Sequence, residues 1–131
     1  MHPGNGGQLA LLAFTATTAD NYTFAGQFAD QDVAGGGGVE VSAVLGNGTI
    51  LLPTTIMPAN SSPVAINFSR SLAAGEKVYF ALGARGDYSY DSTGIQLNVT
   101  DTAQTSSVPE PASIAFVGLG AVAIWLKRRR N

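Results

Sequence analysis

The chain has 131 residues, no cysteine, one histidine and a formal net charge of −2 at pH 7. This length provides for one domain of roughly 100 residues plus a tail. Without cysteine there is no disulfide, thiolate nucleophile or cysteine-based metal site. The only histidine, His2, lies in a Gly-rich amino terminus, so the Ser-His-Asp, Cys-His and His-based zinc arrangements are not available. We therefore expect no enzymatic activity.

The charge is distributed unevenly along the chain. Residues 1–107 hold three Lys and Arg against eight Asp and Glu, a net charge of −5, whereas four consecutive cations stand at 127–130. An acidic body with a basic tail predicts two different surroundings for the two parts. Because the body has no cationic patch to neutralise phosphates, we expect no nucleic-acid partner.

Residues 1–7 (MHPGNGG) are predicted to form a disordered amino terminus. They lack the charged, apolar and small-residue regions of a secretory signal. Since the carboxy-terminal tail described below indicates export, we expect that an export signal and further strands precede Met1.

From Leu9 to Thr100 the sequence alternates with period two, as half-buried antiparallel strands require. In each run the apolar residues fall on one face and mostly polar residues on the other. The inward-facing sets are Tyr22, Phe24 and Phe28; Val39, Val41, Ala43 and Leu45; Val64, Ile66 and Phe68; Val78, Phe80 and Leu82; and Ile95, Leu97 and Val99. The segment Leu9–Thr17 favours a strand over a helix because it is short and contains Thr and Phe.

Turn residues separate these runs. Gly46-Asn47-Gly48 predicts a tight hairpin between two apolar runs, because Asn-Gly supplies positive φ. Further turns are predicted at 73–76 and 86–87, and a flexible loop at 35–38. We therefore predict an all-β, antiparallel, jelly-roll-like β-sandwich over 8–101, followed by a polar linker at 102–107.

The tail contains one uncharged apolar segment, predicted as a single hydrophobic helix over 112–126. Its fifteen residues span about 22 Å, short of the roughly 30 Å hydrocarbon core of a membrane. Two features at its end nevertheless support a membrane span. Trp125 suits the membrane–water interface, and the cations at 127–130 favour a carboxyl terminus in the cytoplasm. A helix of the soluble domain is disfavoured because the segment has no polar stripe. The anchor residues are Ile114, Phe116, Val117, Leu119, Val122, Ile124, Trp125 and Leu126, and the basic cluster is Lys127, Arg128, Arg129 and Arg130.

The motif at 108–113 precedes this segment and contains Val108, Pro109, Glu110 and Pro111. The two prolines hold the backbone extended, which suits a processing site. This order of motif, apolar segment and basic cluster over 108–131 resembles the PEP-CTERM sorting signal. The resemblance implies export in a Gram-negative bacterium, a transient inner-membrane anchor, processing by exosortase near Pro109 to Pro111, and a final place in the cell envelope or outside the cell, often with extracellular polysaccharide.

The body carries a second resemblance. The segments 72–80 (LAAGEKVYF) and 86–94 (GDYSYDSTG) are similar to the last strands of jelly-roll domains related to galactose-binding-like and carbohydrate-binding modules. This resemblance implies the fold more than an activity. The upstream half of such a domain would be short or absent here.

Two groups of residues are candidate sites in the body. Asp30 and Asp32 offer oxygen ligands for calcium, the one cofactor considered, although such residues also form turns. Tyr88, Tyr90 and Asp91 combine aromatic and polar groups that suit a glycan, although one Tyr can instead cap the core. Five Asn-X-Ser/Thr triplets, at 21, 47, 60, 67 and 98, indicate a polar, exported surface rather than glycosylation.

The sequence thus predicts a non-enzymatic envelope or matrix protein, structural or associated with exopolysaccharide. A carbohydrate-binding module or adhesin with a defined glycan is the alternative. A second and weaker alternative is that the chain is the remaining half of a secreted hydrolase.

Overall fold

Two antiparallel β-sheets make up the computed structural model, which describes residues 1–32, 35–86 and 88–102. The strands are β1 (Ala10–Thr15), β2 (Asp20–Asp30), β3 (Val39–Leu45), β4 (Ile50–Met57), β5 (Val64–Leu72), β6 (Lys77–Ala84) and β7 (Thr93–Asp101). One sheet has the order β1-β6-β3-β4 and the other β5-β2-β7. The predicted all-β antiparallel sandwich is confirmed. The predicted helix over 112–126 lies outside the described residues.

The connection between β3 and β4 is the hairpin that the sequence predicts. Gly48 N donates to the Leu45 carbonyl at 2.9 Å, and Leu45 N donates to the Thr49 carbonyl at 2.8 Å. Gly48 has a φ of 87°, whereas Asn47 does not have a positive φ. Positive φ is therefore needed at one position only, as in a three-residue hairpin loop whose last residue is left-handed.

The core forms between the two sheets from the inward faces that the period-two pattern predicts. Aromatic rings fill its centre: Phe24 stacks on Phe68 with ring centroids 5.0 Å apart, and Phe14 meets Phe24 edge-on at 5.2 Å. Ring pairs in these geometries add to the stabilisation from buried apolar area. The most deeply buried side chains are Phe24, Phe28, Val41, Ala43, Val78, Phe80 and Leu82. Ile95, Leu97 and Val99 of β7 are half-buried against this cluster.

A tyrosine near the start of β2 ties the β1–β2 connection to the core. Tyr22 is 3 % exposed, and its hydroxyl donates to the Thr18 carbonyl at 3.0 Å. The same hydroxyl lies 3.2 Å from Thr18 Oγ1, and this side-chain hydrogen bond holds the pKa of Tyr22 below its usual value. A buried tyrosine bonded to the backbone a few residues upstream fixes a chain corner in β-sandwiches.

We expect Tyr22→Phe to lower the melting temperature by about 4–8 °C, because the backbone groups of Thr18 lose a buried partner. Thermal unfolding followed by far-ultraviolet circular dichroism measures this shift. Tyr79→Phe is the matched control, since the Tyr79 hydroxyl makes no hydrogen bond within the described part of the chain. Equal melting temperatures for Tyr22→Phe and the parent protein would show that this corner is not stabilising.

The amino-terminal segment, predicted to be disordered, is docked on the domain in the structure. Met1 and Thr93 exchange backbone hydrogen bonds, with Thr93 N donating to the Met1 carbonyl at 2.8 Å. The Met1 side chain packs against the core cluster, and Pro3 is buried. A composition rich in Gly and polar residues predicts disorder, but it does not reveal these contacts with a strand ninety residues away.

Candidate functional site

The sorting motif predicted at 108–113, the anchor at 112–126 and the basic cluster at 127–130 lie outside the residues that the structure describes. Their roles therefore stay predictions from the sequence at the level of single residues. Among the described residues there is no helix long and apolar enough to cross a membrane. The last described strand ends at Asp101, close to the start of the predicted polar linker.

Of the two candidate calcium ligands, Asp30 ends β2 and Asp32 follows it, where three loops come together. The Asp30 carboxylate accepts hydrogen bonds from Asp32 N at 3.0 Å and from Asn60 N at 2.7 Å. The Asp32 carboxylate accepts one from Ser92 N at 2.5 Å. Each carboxylate thus joins neighbouring loops through backbone donors, the usual role of Asp in turns.

These hydrogen bonds give both aspartates a structural role that requires no ion. Across residues 1–32, 35–86 and 88–102, no group of three or more His, Asp or Glu side chains is placed to hold a metal. Calcium binding at Asp30 and Asp32 stays a prediction, and it would require these carboxylates to give up or share their backbone donors.

The predicted glycan site is divided by burial. Tyr88 and Tyr90 are 42 % and 58 % exposed, whereas Asp91 is only 2 % exposed. Tyr88 lies against His2, with ring centroids 6.4 Å apart, and borders a depression of about 310 Å³ formed with the amino-terminal glycines. Tyr90 has a φ of 60°, which is uncommon for a bulky residue. The two rings are accessible to a ligand in this structure, and the Asp91 side chain lies beneath the surface.

The outer face of the three-stranded sheet is a further polar surface, which we call the amide face. Its outward positions carry only Asn, Gln, Ser, Thr, Ala and Gly, and no charge. They are 21, 23, 25, 27 and 29 on β2, 65, 67, 69 and 71 on β5, and 94, 96, 98 and 100 on β7. The charged residues of these strands, Asp20, Asp30, Arg70 and Asp101, all occupy the alternate positions.

The strand register lines these residues up in rows across the amide face. Thr23 lies between Ser69 and Thr100, and Ala25 lies between Asn67 and Asn98. Three of the five Asn-X-Ser/Thr triplets supply all of these residues except Ala25, because the first and third residues of a triplet point the same way on a strand. The triplets were thus a signal for this surface. The sequence alone does not identify this surface, since only the register shows that the three triplets share one sheet.

The other outer face differs in composition. The four-stranded sheet exposes Leu11, Ile50 and Ile56 to the extent of 58 %, 65 % and 50 %, together with the charged Glu40 and Lys77. The contrast shows that an uncharged, amide-rich surface is a property of one sheet and not of the whole domain.

Comparison with known proteins bears on the tail. The family model described as the PEP-CTERM protein-sorting motif matches residues 107–130. No curated protein and no solved structure matches the chain significantly. The galactose-binding-like resemblance of the body is therefore without support from a relative, although its fold class is confirmed. The chain carries a PEP-CTERM protein-sorting motif, which marks it as an exported protein processed by exosortase at the membrane.

Proposed function

We propose that the chain is a non-enzymatic β-sandwich protein of the cell envelope or extracellular matrix, structural or associated with exopolysaccharide. Residues 112–126 serve as a temporary inner-membrane anchor, and the basic cluster stays in the cytoplasm. Exosortase then acts near Pro109 to Pro111 and releases the β domain outside. The observation that carries this proposal is the sorting motif at 107–130, placed directly after a domain whose last strand ends at Asp101.

The spacing between domain and motif supports this order of events. Residues 102–107 form a polar segment that can reach about 20 Å when extended. That length holds the acidic body clear of the bilayer while the motif stays close to it. The four cations beyond the apolar segment favour the cytoplasmic side, and so leave the domain on the opposite side.

The side chains of the body support a binding or structural role over catalysis. The only histidine, His2, lies beside Tyr88, and its Nδ1 is 2.7 Å from the Pro3 carbonyl. The sequence has no second histidine and no cysteine to complete a nucleophile–base pair.

Mass spectrometry of the mature protein tests the sorting proposal. In an exosortase-bearing host we expect the chain to lose the residues that follow the motif. In the same host without exosortase we expect the full mass. Glu110→Gln, which keeps the side-chain shape but removes the charge, should reduce the processed fraction if Glu110 is part of the recognised element. An intact tail in the exosortase-bearing host would contradict the proposal.

Glycan binding at Tyr88 and Tyr90 is the second candidate function. The observation that favours it is the pair of exposed rings on one loop, one of them with left-handed backbone. Unusual backbone conformations and exposed aromatics are frequent at binding loops. The buried Asp91 carboxylate would not contact a ligand without a rearrangement of this loop.

A further inference from the structure

The composition of the amide face is unusual for the solvent side of a sheet. Asn is disfavoured in strands, and edge strands, here β5 and β7, are commonly protected by charges such as Lys. Here the outward positions instead include Asn21, Gln27, Asn67, Gln96 and Asn98, with no Lys, Arg, Asp or Glu. Solubility alone does not require this choice, because charged side chains would serve it better. This composition therefore indicates a ligand that pairs with uncharged amides.

Two neighbouring depressions lie along β2 and β7 on this face. The first, of about 340 Å³, has Ala29 and Gly94 as its floor and is bordered by Gln27, Gln31 and Gln96. Gln31 lies over the floor, since a β-carbon at Gly94 would be 3.1 Å from its Nε2. The second depression, of about 280 Å³, lies over Ala25 and Gly26 and also contacts Gln96. Both depressions contact Gln96, and they extend along β2 from Ala25 to Ala29, over about 13 Å. We call this stretch of the face the trough.

The amides that border the trough have donors and acceptors available. Within the described part of the chain, the side-chain amides of Gln27, Gln96 and Asn98 take part in no hydrogen bond, whereas Gln31 Nε2 donates to the Asp30 carbonyl at 3.1 Å. Each amide offers two N–H donors and a carbonyl acceptor. Sugar hydroxyls both donate and accept, so adjacent amides and hydroxyls can pair without any charge.

We propose that the amide face binds an uncharged polysaccharide, with the sugar chain lying along β2 and β7 over both depressions. Gln27, Gln96 and Asn98 make the central hydrogen bonds, and Ala25 and Ala29 leave room for the sugar rings. This inference deepens the proposed association with exopolysaccharide and rests on it for the location of the domain outside the cell.

Charge and shape select this occupant. The face has no cation to attract an anionic polymer, and the body around it carries a net charge of −5 over residues 1–107. It also lacks the Tyr, Trp, Met and Arg that anchor protein interfaces. A single sugar would bury too little of its surface in so open a trough, since small ligands are held in deep pockets. A polymer that contacts both depressions gains several weak hydrogen bonds at once.

Affinity electrophoresis of the full chain tests this inference without exosortase, so its result is independent of the sorting experiment. The protein is kept in a zwitterionic detergent without sugar groups. The native gels contain dextran, an uncharged galactomannan or anionic alginate, and mobility is normalised to a gel without polysaccharide. We expect retardation by an uncharged polysaccharide and none by alginate.

Isosteric variants then locate the site. Gln96→Glu and Asn98→Asp each replace an N–H donor by a charged oxygen, and we expect each to weaken binding by about 2- to 12-fold. Gln96→Ala, which adds no charge, should act in the same direction. Thr54→Glu adds the same charge at an exposed position of β4 in the other sheet, and should bind like the parent protein. Circular dichroism of each variant checks that the fold is kept.

Several outcomes would overturn the inference. These are no retardation in any uncharged gel, stronger retardation by alginate, and binding that is lost in Tyr88→Ala but kept in Gln96→Glu and Asn98→Asp. A dimer in the gel without polysaccharide that Gln96→Glu disperses would assign the face to a second copy of the chain instead.

Discussion

Phe24→Ala is expected to lower the free energy of unfolding by about 3–5 kcal/mol, the usual loss when a buried phenylalanine is truncated. Phe24 is fully buried at the centre of β2, the middle strand of its sheet. Its ring contacts Phe14, Phe68 and Phe80, with centroid separations of 5.2, 5.0 and 6.0 Å. The neighbours come from three other strands in both sheets, so the cavity cannot close by a shift of one strand. A domain of this size has about 5–15 kcal/mol of stability in total.

Urea unfolding followed by far-ultraviolet circular dichroism measures this loss. Tryptophan fluorescence is less suitable, because the only tryptophan, Trp125, lies in the tail and not in the β domain. Leu11→Ala is the control: Leu11 is apolar but 58 % exposed on β1, and its truncation should change stability by about 0.5 kcal/mol or less. Similar losses for the two variants would contradict the assignment of Phe24 to the centre of the core.

The core could be predicted from the sequence because alternation has a direct physical cause. Side chains on a strand point to opposite faces in turn, so Tyr22, Phe24 and Phe28 had to lie together once β2 was recognised. The pairing of strands could not be predicted in the same way, because alternation does not specify a partner. Every connection except β3–β4 passes from one sheet to the other. That exception is the one with a strong local signal, at Asn47 and Gly48.

The candidate sites, like the strand pairing, depend on contacts that the local sequence does not specify. The sequence predicts one site from Tyr88, Tyr90 and Asp91 because they are close along the chain, yet their exposure differs. Asp91 precedes Thr93, which exchanges hydrogen bonds with Met1. The end of this loop is therefore in contact with a segment that is distant in sequence, a contact that the local sequence does not reveal. The residues of the amide face are, in contrast, far apart in sequence. Only the register of β5, β2 and β7 brings them into rows.

Gly26 lies on β2 opposite Leu97 of β7. We expect Gly26→Ala to destabilise the domain by about 2–4 kcal/mol. Alanine in place of an unstrained strand glycine is normally favourable by about 0.5–1 kcal/mol, so strand propensity alone predicts the opposite sign. At this position an added β-carbon would fall on the backbone of β7, against the Gln96 carbonyl oxygen. Backbone atoms cannot rotate away as a side chain can. β2 and β7 would have to separate, at the combined expense of overpacking and lost ladder hydrogen bonds.

Gly94→Ala separates this effect from the general consequence of replacing glycine. Its β-carbon would meet only the flexible Gln31 side chain, at 3.1 Å from Nε2, so we expect a change of about 0.5 kcal/mol or less. Urea unfolding of the two variants and the parent protein gives the free energies of unfolding to be compared. If Gly26→Ala were as stable as Gly94→Ala, the close approach of β2 to β7 would not be a constraint on the fold. If Gly26→Ala is destabilised as expected, the spacing of Gln27 and Gln96 across the trough depends on a residue that has no side chain of its own.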